Sequence, residues 1–98
     1  MGFFSVFFKS TGNEALQEKI QNGAMLLDVR TQEEYIMGHI PGSVNIPLFE
    51  LPTEVKRFNS ATPVVAICES GARSSQAVRF LRSNGIEAFN GGGWRSFK

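Results

Sequence analysis

The 98-residue sequence predicts an α/β fold, a small and mostly parallel β-sheet flanked by helices on both faces. Three observations predict it. Met25 to Val29 and Val64 to Ile67 are short apolar runs, the signature of strands buried on both sides. Ser74 to Asn84 carries Ala77, Val78, Phe80 and Leu81 at helical spacing. Strand and helix signals alternate along the chain, and a helical crossover returns each strand parallel to the last.

In order, Thr11 or Asn13 can cap a first helix that runs to about Asn22. Ala15, Leu16 and Ile20 give it an apolar face, and Gly23 is its stop. The first strand, Met25 to Val29, ends in Asp28-Val29-Arg30. Thr31 followed three residues later by Glu34 is a capping box, so a short helix opens there and Gly38 closes it. His39-Ile40-Pro41-Gly42 is a turn, because Pro-Gly sets the needed angles. Val44 to Ile46 is a short strand. Pro47 and Pro52 bracket a loop, and Thr53 to Phe58 suits another helix. After Val64 to Ile67 and the Ser74 helix, Ile86 to Phe89 is a final strand. Gly91-Gly92-Gly93 then turns the chain before Trp94.

The length makes one domain, residues 1–98, with somewhat over ~60% of its unfolded surface buried. A net charge of +1 and no Lys/Arg run beyond two residues exclude a nucleic-acid binder. Cysteine and histidine each occur once, too few for a zinc site or an internal disulfide. No cofactor is implied. The N-terminal stretch MGFFSVFFK lacks the basic start and long apolar core of a signal peptide, and it is too short to span a membrane. Residues 1–12 are read as a Phe-rich segment packed on the domain, with a membrane or partner contact, or disorder, as the alternatives. Without an export signal, the cytoplasm is the expected compartment.

Cys68 ends the Val64 strand, and the Ser74 helix begins just after it. A thiol there sits over a helix N-terminus, a place that stabilises anions. A free thiol has a pKa near ~8.5, and lowering it to ~6.5 makes the thiolate dominant at neutral pH. Gly71 permits a tight loop whose amides converge on the sulfur. Arg73 supplies a permanent cation for an incoming anion, and Ser70, Ser74 and Ser75 offer hydroxyls or a cap. The competing reading is a small buried hydrophobe beside a turn glycine and a surface arginine.

The chain resembles the rhodanese homology domain in its small single-domain sulfurtransferase form. Three motifs spread over residues 13 to 97 carry the resemblance. They are Leu26-Leu27-Asp28-Val29-Arg30-Thr31 with Glu34-Tyr35 and Gly38 to Pro47; Cys68-x-x-Gly71-x-Arg73-Ser74; and the glycine run before Trp94. The resemblance implies double displacement. The Cys68 thiolate attacks the outer sulfur of thiosulfate or a persulfide and holds it as a persulfide. A thiol or cyanide then takes it. The loop main chain, Cys68, Glu69, Ser70, Gly71, Ala72 and Arg73, implies a cradle for the anionic sulfur. Related phosphatases carry a loop one residue longer, and the four residues between Cys68 and Arg73 fit sulfur better than phosphate.

Asp28 and Arg30 are expected as an ion pair fixing the loop, His39 as the anchor of its turn, and Trp94 as a lid that can wall the pocket. Some family members carry basic residues just after the cysteine, where this chain has Glu69 and Ser70. Glu69 repels a dianion if it points inward, so thiosulfate turnover is expected to be weak and a persulfide donor favoured. The alternative function is a sulfur-carrier or protein-interaction module that a protein partner loads or unloads, with little free turnover.

Overall fold

The computed structural model describes residues 12–98. The rest of the Phe-rich segment and the candidate cap Thr11 lie outside the described residues. Helix α1 (Glu14–Gln21) follows Asn13, whose side-chain amide donates to the Ser96 carbonyl at 2.9 Å and so ties the helix to the C-terminal turn. Leu16 and Ile20 pack inward, whereas Ala15, expected beside them, is exposed. Successive residues are turned by about 100° around a helix, so Leu16 and Ala15 share no narrow face.

Strand β1 (Met25–Asp28) and helix α2 (Gln32–Met37) follow. The capping box forms as the sequence predicts: Glu34 N–H donates to Thr31 Oγ1 at 3.2 Å, and Thr31 N–H to Glu34 Oε1 at 2.8 Å. Strand β2 is only Val44–Asn45. The loop and helix expected next are instead one 3₁₀ segment, Leu48–Arg57, with Pro52 inside. Proline lacks the N–H an α-helix needs there, and the tighter winding takes its place.

Strand β3 (Val64–Cys68) is buried throughout. Helix α3 (Ala72–Ser83) starts two residues before the expected Ser74, because Gly71 at φ +104° already caps it. Strand β4 (Ala88–Gly93) starts later than expected and includes the glycine run, which was expected to be a turn. A 3₁₀ turn, Trp94–Phe97, closes the fold.

All four strands are parallel, in the order β2-β1-β3-β4. From β1 the chain moves outward to β2, and from β3 outward to β4 on the other side. The direction therefore reverses between β1 and β3, and the crevice beyond their C-terminal ends is where such sheets bind ligands. Alternate strand residues feed two cores. Leu27, Val29, Val64, Ala66 and Cys68 meet Ala77, Val78 and Leu81 of α3 and Leu51 of the 3₁₀ segment. Leu26, Val65 and Ile67 meet Trp94 and, at the edge, Leu16 and Ile20 of α1. Each fully buried aliphatic side chain contributes about 1.5–3 kcal/mol. Among the described residues, no helix is long and apolar enough to cross a membrane.

Candidate active site

Cys68 ends β3 at the reversal point, with no exposed surface. Its Sγ accepts the Gly71 N–H at 3.0 Å and the Ser74 N–H at 3.4 Å, and Ser74 Oγ lies 3.4 Å away. Ser74 is the third residue of α3, so its N–H is one of the helix's orphan donors. The capping residue is Gly71, which has no side chain, and the sulfur takes the place of a capping oxygen. Gly71 is required for its angle rather than for space. A Cβ there would meet only Gly92 Cα at 3.5 Å, an ordinary contact, but φ +104° strains any other residue.

Burial pushes the Cys68 thiol up. The Ser74 hydroxyl and the N–H groups of Ser74, Gly71 and Ser70 outweigh it, so the net shift is below the ordinary thiol value. A small buried hydrophobe does not account for a sulfur that main-chain N–H groups and a hydroxyl approach. Glu69 and Ser70 are exposed on the loop, and Ala72 opens α3 at the surface.

Arg73, read from the sequence as the cation for an incoming anion, is already engaged. Its guanidinium holds Glu34 in two-pronged fashion, at 2.7 Å and 3.0 Å. The Arg73 hydrogen bonds, together with those from Thr31, hold the Glu34 carboxyl down at about 2 despite partial desolvation. Glu69 does not point at the sulfur. Its carboxylate pairs with Arg95 and accepts the Trp94 indole N–H at 3.3 Å.

Asp28 and Arg30 form the expected pair, buried, with Arg30 Nη2 to Asp28 Oδ2 at 2.8 Å. Arg30 also donates to the Gly38 carbonyl at 2.8 Å and lies over the Trp94 ring at 4.3 Å. His39 Nδ1 lies 2.8 Å from the Tyr35 carbonyl and its ring stacks on Tyr35 at 3.8 Å, contacts that run back to α2. Trp94 is buried on the sheet face opposite Cys68 and helps to wall a cavity of about 200 Å³ with Arg30, Glu34, Met37, Glu69 and Arg95. A larger cavity of about 450 Å³, lined by Ile20, Met25, Pro41 and Phe97 among others, has no residue of the sulfur loop in its wall.

Three residues of the site carry little or no signal of their contacts in the sequence. Glu34 stands there in a capping box and in the first motif, with nothing to show its tie to Arg73. Arg95, in the last turn, gave no signal. Asn90 precedes the glycine run, and an Asx residue beside glycine was the one available hint. Its amide donates to the Gly71 carbonyl at 3.2 Å, and its oxygen accepts from Ser74 Oγ at 2.6 Å and Gly92 N–H at 2.9 Å.

Residues 12–98 match the family described as the rhodanese-like domain. YrkF of Bacillus subtilis, named provisionally as a sulfur carrier protein, is 40% identical over 76 residues, which are 76% of this chain and 41% of YrkF. The chain spans 35%, 41% and 54% of the length of three curated relatives. Among solved structures, SSP1007 of Staphylococcus saprophyticus is 39% identical with a TM-score of 0.74, covering 86% of this chain and 87% of that one. The human single-domain sulfurtransferase TSTD1 is 32% identical with a TM-score of 0.71, covering 85% of this chain and 88% of its own.

Proposed function

We propose that this chain, which belongs to the rhodanese-like domain family, is a sulfurtransferase that carries a sulfane sulfur as a Cys68 persulfide. The observation that carries the reading is the set of hydrogen-bond partners on Cys68 Sγ at the N-terminus of α3, two donating main-chain N–H groups with the Ser74 hydroxyl beside them. The relatives named for sulfur transfer or sulfur carriage support it.

The Cys68 thiolate attacks the outer sulfur of the donor. A new S–S bond forms, and the donor's own bond to that sulfur breaks. The leaving group, sulfite from thiosulfate or a thiolate from a persulfide, takes the bonding pair. The persulfide anion stays in the amide cradle. A thiol or cyanide then attacks the outer sulfur and releases the Cys68 thiolate. Arg73, Glu69, Ser70, Gly71, Ala72 and Ser74 form the walls, and Asp28, Arg30 and Trp94 support them.

The charges around the sulfur favour a persulfide donor over thiosulfate. Arg73 is held by Glu34, Arg95 by Glu69 and Arg30 by Asp28, so these three cations of the site are all paired. A dianion gains less there than at a loop with free basic residues. The cytoplasm, where thiols stay reduced, suits this chemistry.

A second reading, a carrier loaded and unloaded by a protein partner, is favoured by the apolar rim. Ile36 and Met37 at the end of α2 are 69% and 88% exposed, and Met37 lines the cavity beside the sulfur loop.

Intact-mass measurement after incubation with thiosulfate or a small-molecule persulfide tests both. The wild type is expected to gain one sulfur atom and Cys68→Ser none. No uptake from any donor sinks the sulfurtransferase reading. Uptake without turnover to cyanide or a thiol favours the carrier.

A further inference from the structure

We propose that Asn90 is a positioning residue for Cys68, its amide oxygen holding the Ser74 hydroxyl proton while the sulfur is a thiol and yielding it when the sulfur becomes anionic. The inference rests on the reading of Cys68 as the sulfur-carrying nucleophile, and on the arrangement of four groups.

Ser74 has one hydroxyl proton and two neighbours for it. Asn90 Oδ1 lies at 2.6 Å and Cys68 Sγ at 3.4 Å. The short distance places the proton on the Asn90 side. The Ser74 oxygen then presents lone pairs to the sulfur, an arrangement that suits a thiol S–H as donor. Ser74 carries no exposed surface, so water does not compete for that hydroxyl.

An anionic sulfur needs the opposite. A thiolate or persulfide only accepts, and its main-chain donors are the N–H groups of Gly71 and Ser74. The Ser74 hydroxyl becomes a further donor if it turns from Asn90 to sulfur. That turn leaves nothing stranded, because Asn90 Oδ1 still accepts the Gly92 N–H at 2.9 Å.

The orientation of the amide is fixed. Asn90 Nδ2 donates to the Gly71 carbonyl at 3.2 Å. Flipping the amide would set its NH₂ against the Gly92 N–H and lose both oxygen contacts. The bulge in β4 builds this position: Ala66 pairs with Asn90 but Ile67 with Gly92, leaving Gly91 as the extra residue. Asn90 is therefore pinned to the sulfur loop, to β4 and to α3 at once.

Other charges border the sulfur. Arg73 of α3 feels the Cys68 charge and is held by Glu34 of α2. Glu69 of the loop is held by Arg95 of the last turn, and Asp28 by Arg30 at the end of β1. Replacing Asn90 with a neutral residue alters none of them.

Cys68 is the only cysteine in the chain, so the pH dependence of alkylation reports its thiolate alone. Asn90→Ala is expected to free the Ser74 hydroxyl for the thiolate and lower the titration midpoint. Alkylation below the midpoint then speeds up about threefold to tenfold, the factor one hydrogen bond carries. In a Ser74→Ala background the same substitution is expected to give no such lowering. Loss of the tie to the Gly71 carbonyl acts equally in both backgrounds and cancels in the comparison.

An equal shift in both backgrounds, or a Ser74-dependent rise, overturns the proposal. A second measurement uses the intact wild type. The Asn90 side-chain amide and Gly92 N–H resonances are expected to titrate with the Cys68 midpoint and to lose that step in Cys68→Ser; a flat response overturns the proposal even where Asn90→Ala does not fold. Alkylation and resonance titration need no sulfur donor, so their outcome is separate from that of the sulfur-loading test.

Discussion

Glu34 does two jobs with one carboxylate. It closes the capping box on Thr31, and it holds the Arg73 guanidinium in the first turn of α3. On the proposed function, the second job takes the Arg73 cation out of use for an anionic donor. Glu34→Gln separates the two, since glutamine also completes a capping box but leaves Arg73 uncompensated. Sulfur loading from dianionic thiosulfate is expected to rise about two- to fivefold in that variant, the scale of an exposed ion pair, and loading from a singly charged persulfide donor to rise less. Rates that rise equally for both donors, or for neither, remove Arg73 from donor recognition. The capping box was legible in the spacing of Thr31 and Glu34. The Arg73 contact was not, because it joins residues 39 positions apart and only the fold brings them together. Glu69 teaches the same point. Its place next to Cys68 suggested repulsion, but its side chain turns away to Arg95 and Trp94.

Strand β4 is shaped by glycines because the sulfur loop leans on it. Read along the chain, Gly91-Gly92-Gly93 looked like a turn, since glycine usually marks one. In the sheet, Gly93 pairs with Cys68, and a Cβ on Gly93 would sit 2.9 Å from the Glu69 carbonyl oxygen. That neighbour is main chain and belongs to the loop, so it yields only by moving the loop. Gly91 differs: its Cβ would meet Ile67 Cγ2 at 2.8 Å and Val65 Cγ1 at 3.0 Å, in the core behind the loop. Two outcomes are expected. Gly93→Ala loses most of its sulfur loading, because the Gly71 and Ser74 donors shift relative to Sγ. Gly91→Ala loses about 1–3 kcal/mol of stability through overpacking, read from the denaturant midpoint, and keeps more of its loading. Equal loading in Gly93→Ala and the wild type would show that the loop does not depend on β4. Helix α3 was the clearest element in the sequence. Its true start, at Ala72, was hidden because Ala72 and Arg73 show no apolar spacing and the cap is set by the backbone of Gly71.

At the scale of the molecule, two faces of one thin sheet meet at the site. Cys68 belongs to the core under α3, and Trp94 to the core on the other face. The parallel sheet was legible because the apolar runs are short, continuous and separated by helical stretches. The strand order was not, since nothing local says that β4 adds beside β3 rather than β2. The ion pair of Glu34 and Arg73 joins α2 to the start of α3 across the crevice, which makes it a tie between layers as well as a site feature. Glu34 has its folded value lowered to about 2 from an ordinary 4.5. The unfolded chain therefore binds that proton more readily than the folded one. The pair contributes its full stability above about pH 4.5 and loses it as the pH falls toward 2. Both side chains are about one-third exposed, at 33% and 35%, so solvent screening keeps the contribution to about 1 kcal/mol or less. Denaturant midpoints taken from about pH 6 down to about pH 2.5 are expected to fall less steeply in Arg73→Ala than in the wild type. If the two slopes coincide, the acid sensitivity of this fold comes from carboxylates other than Glu34, and the tie between α2 and α3 contributes nothing to stability.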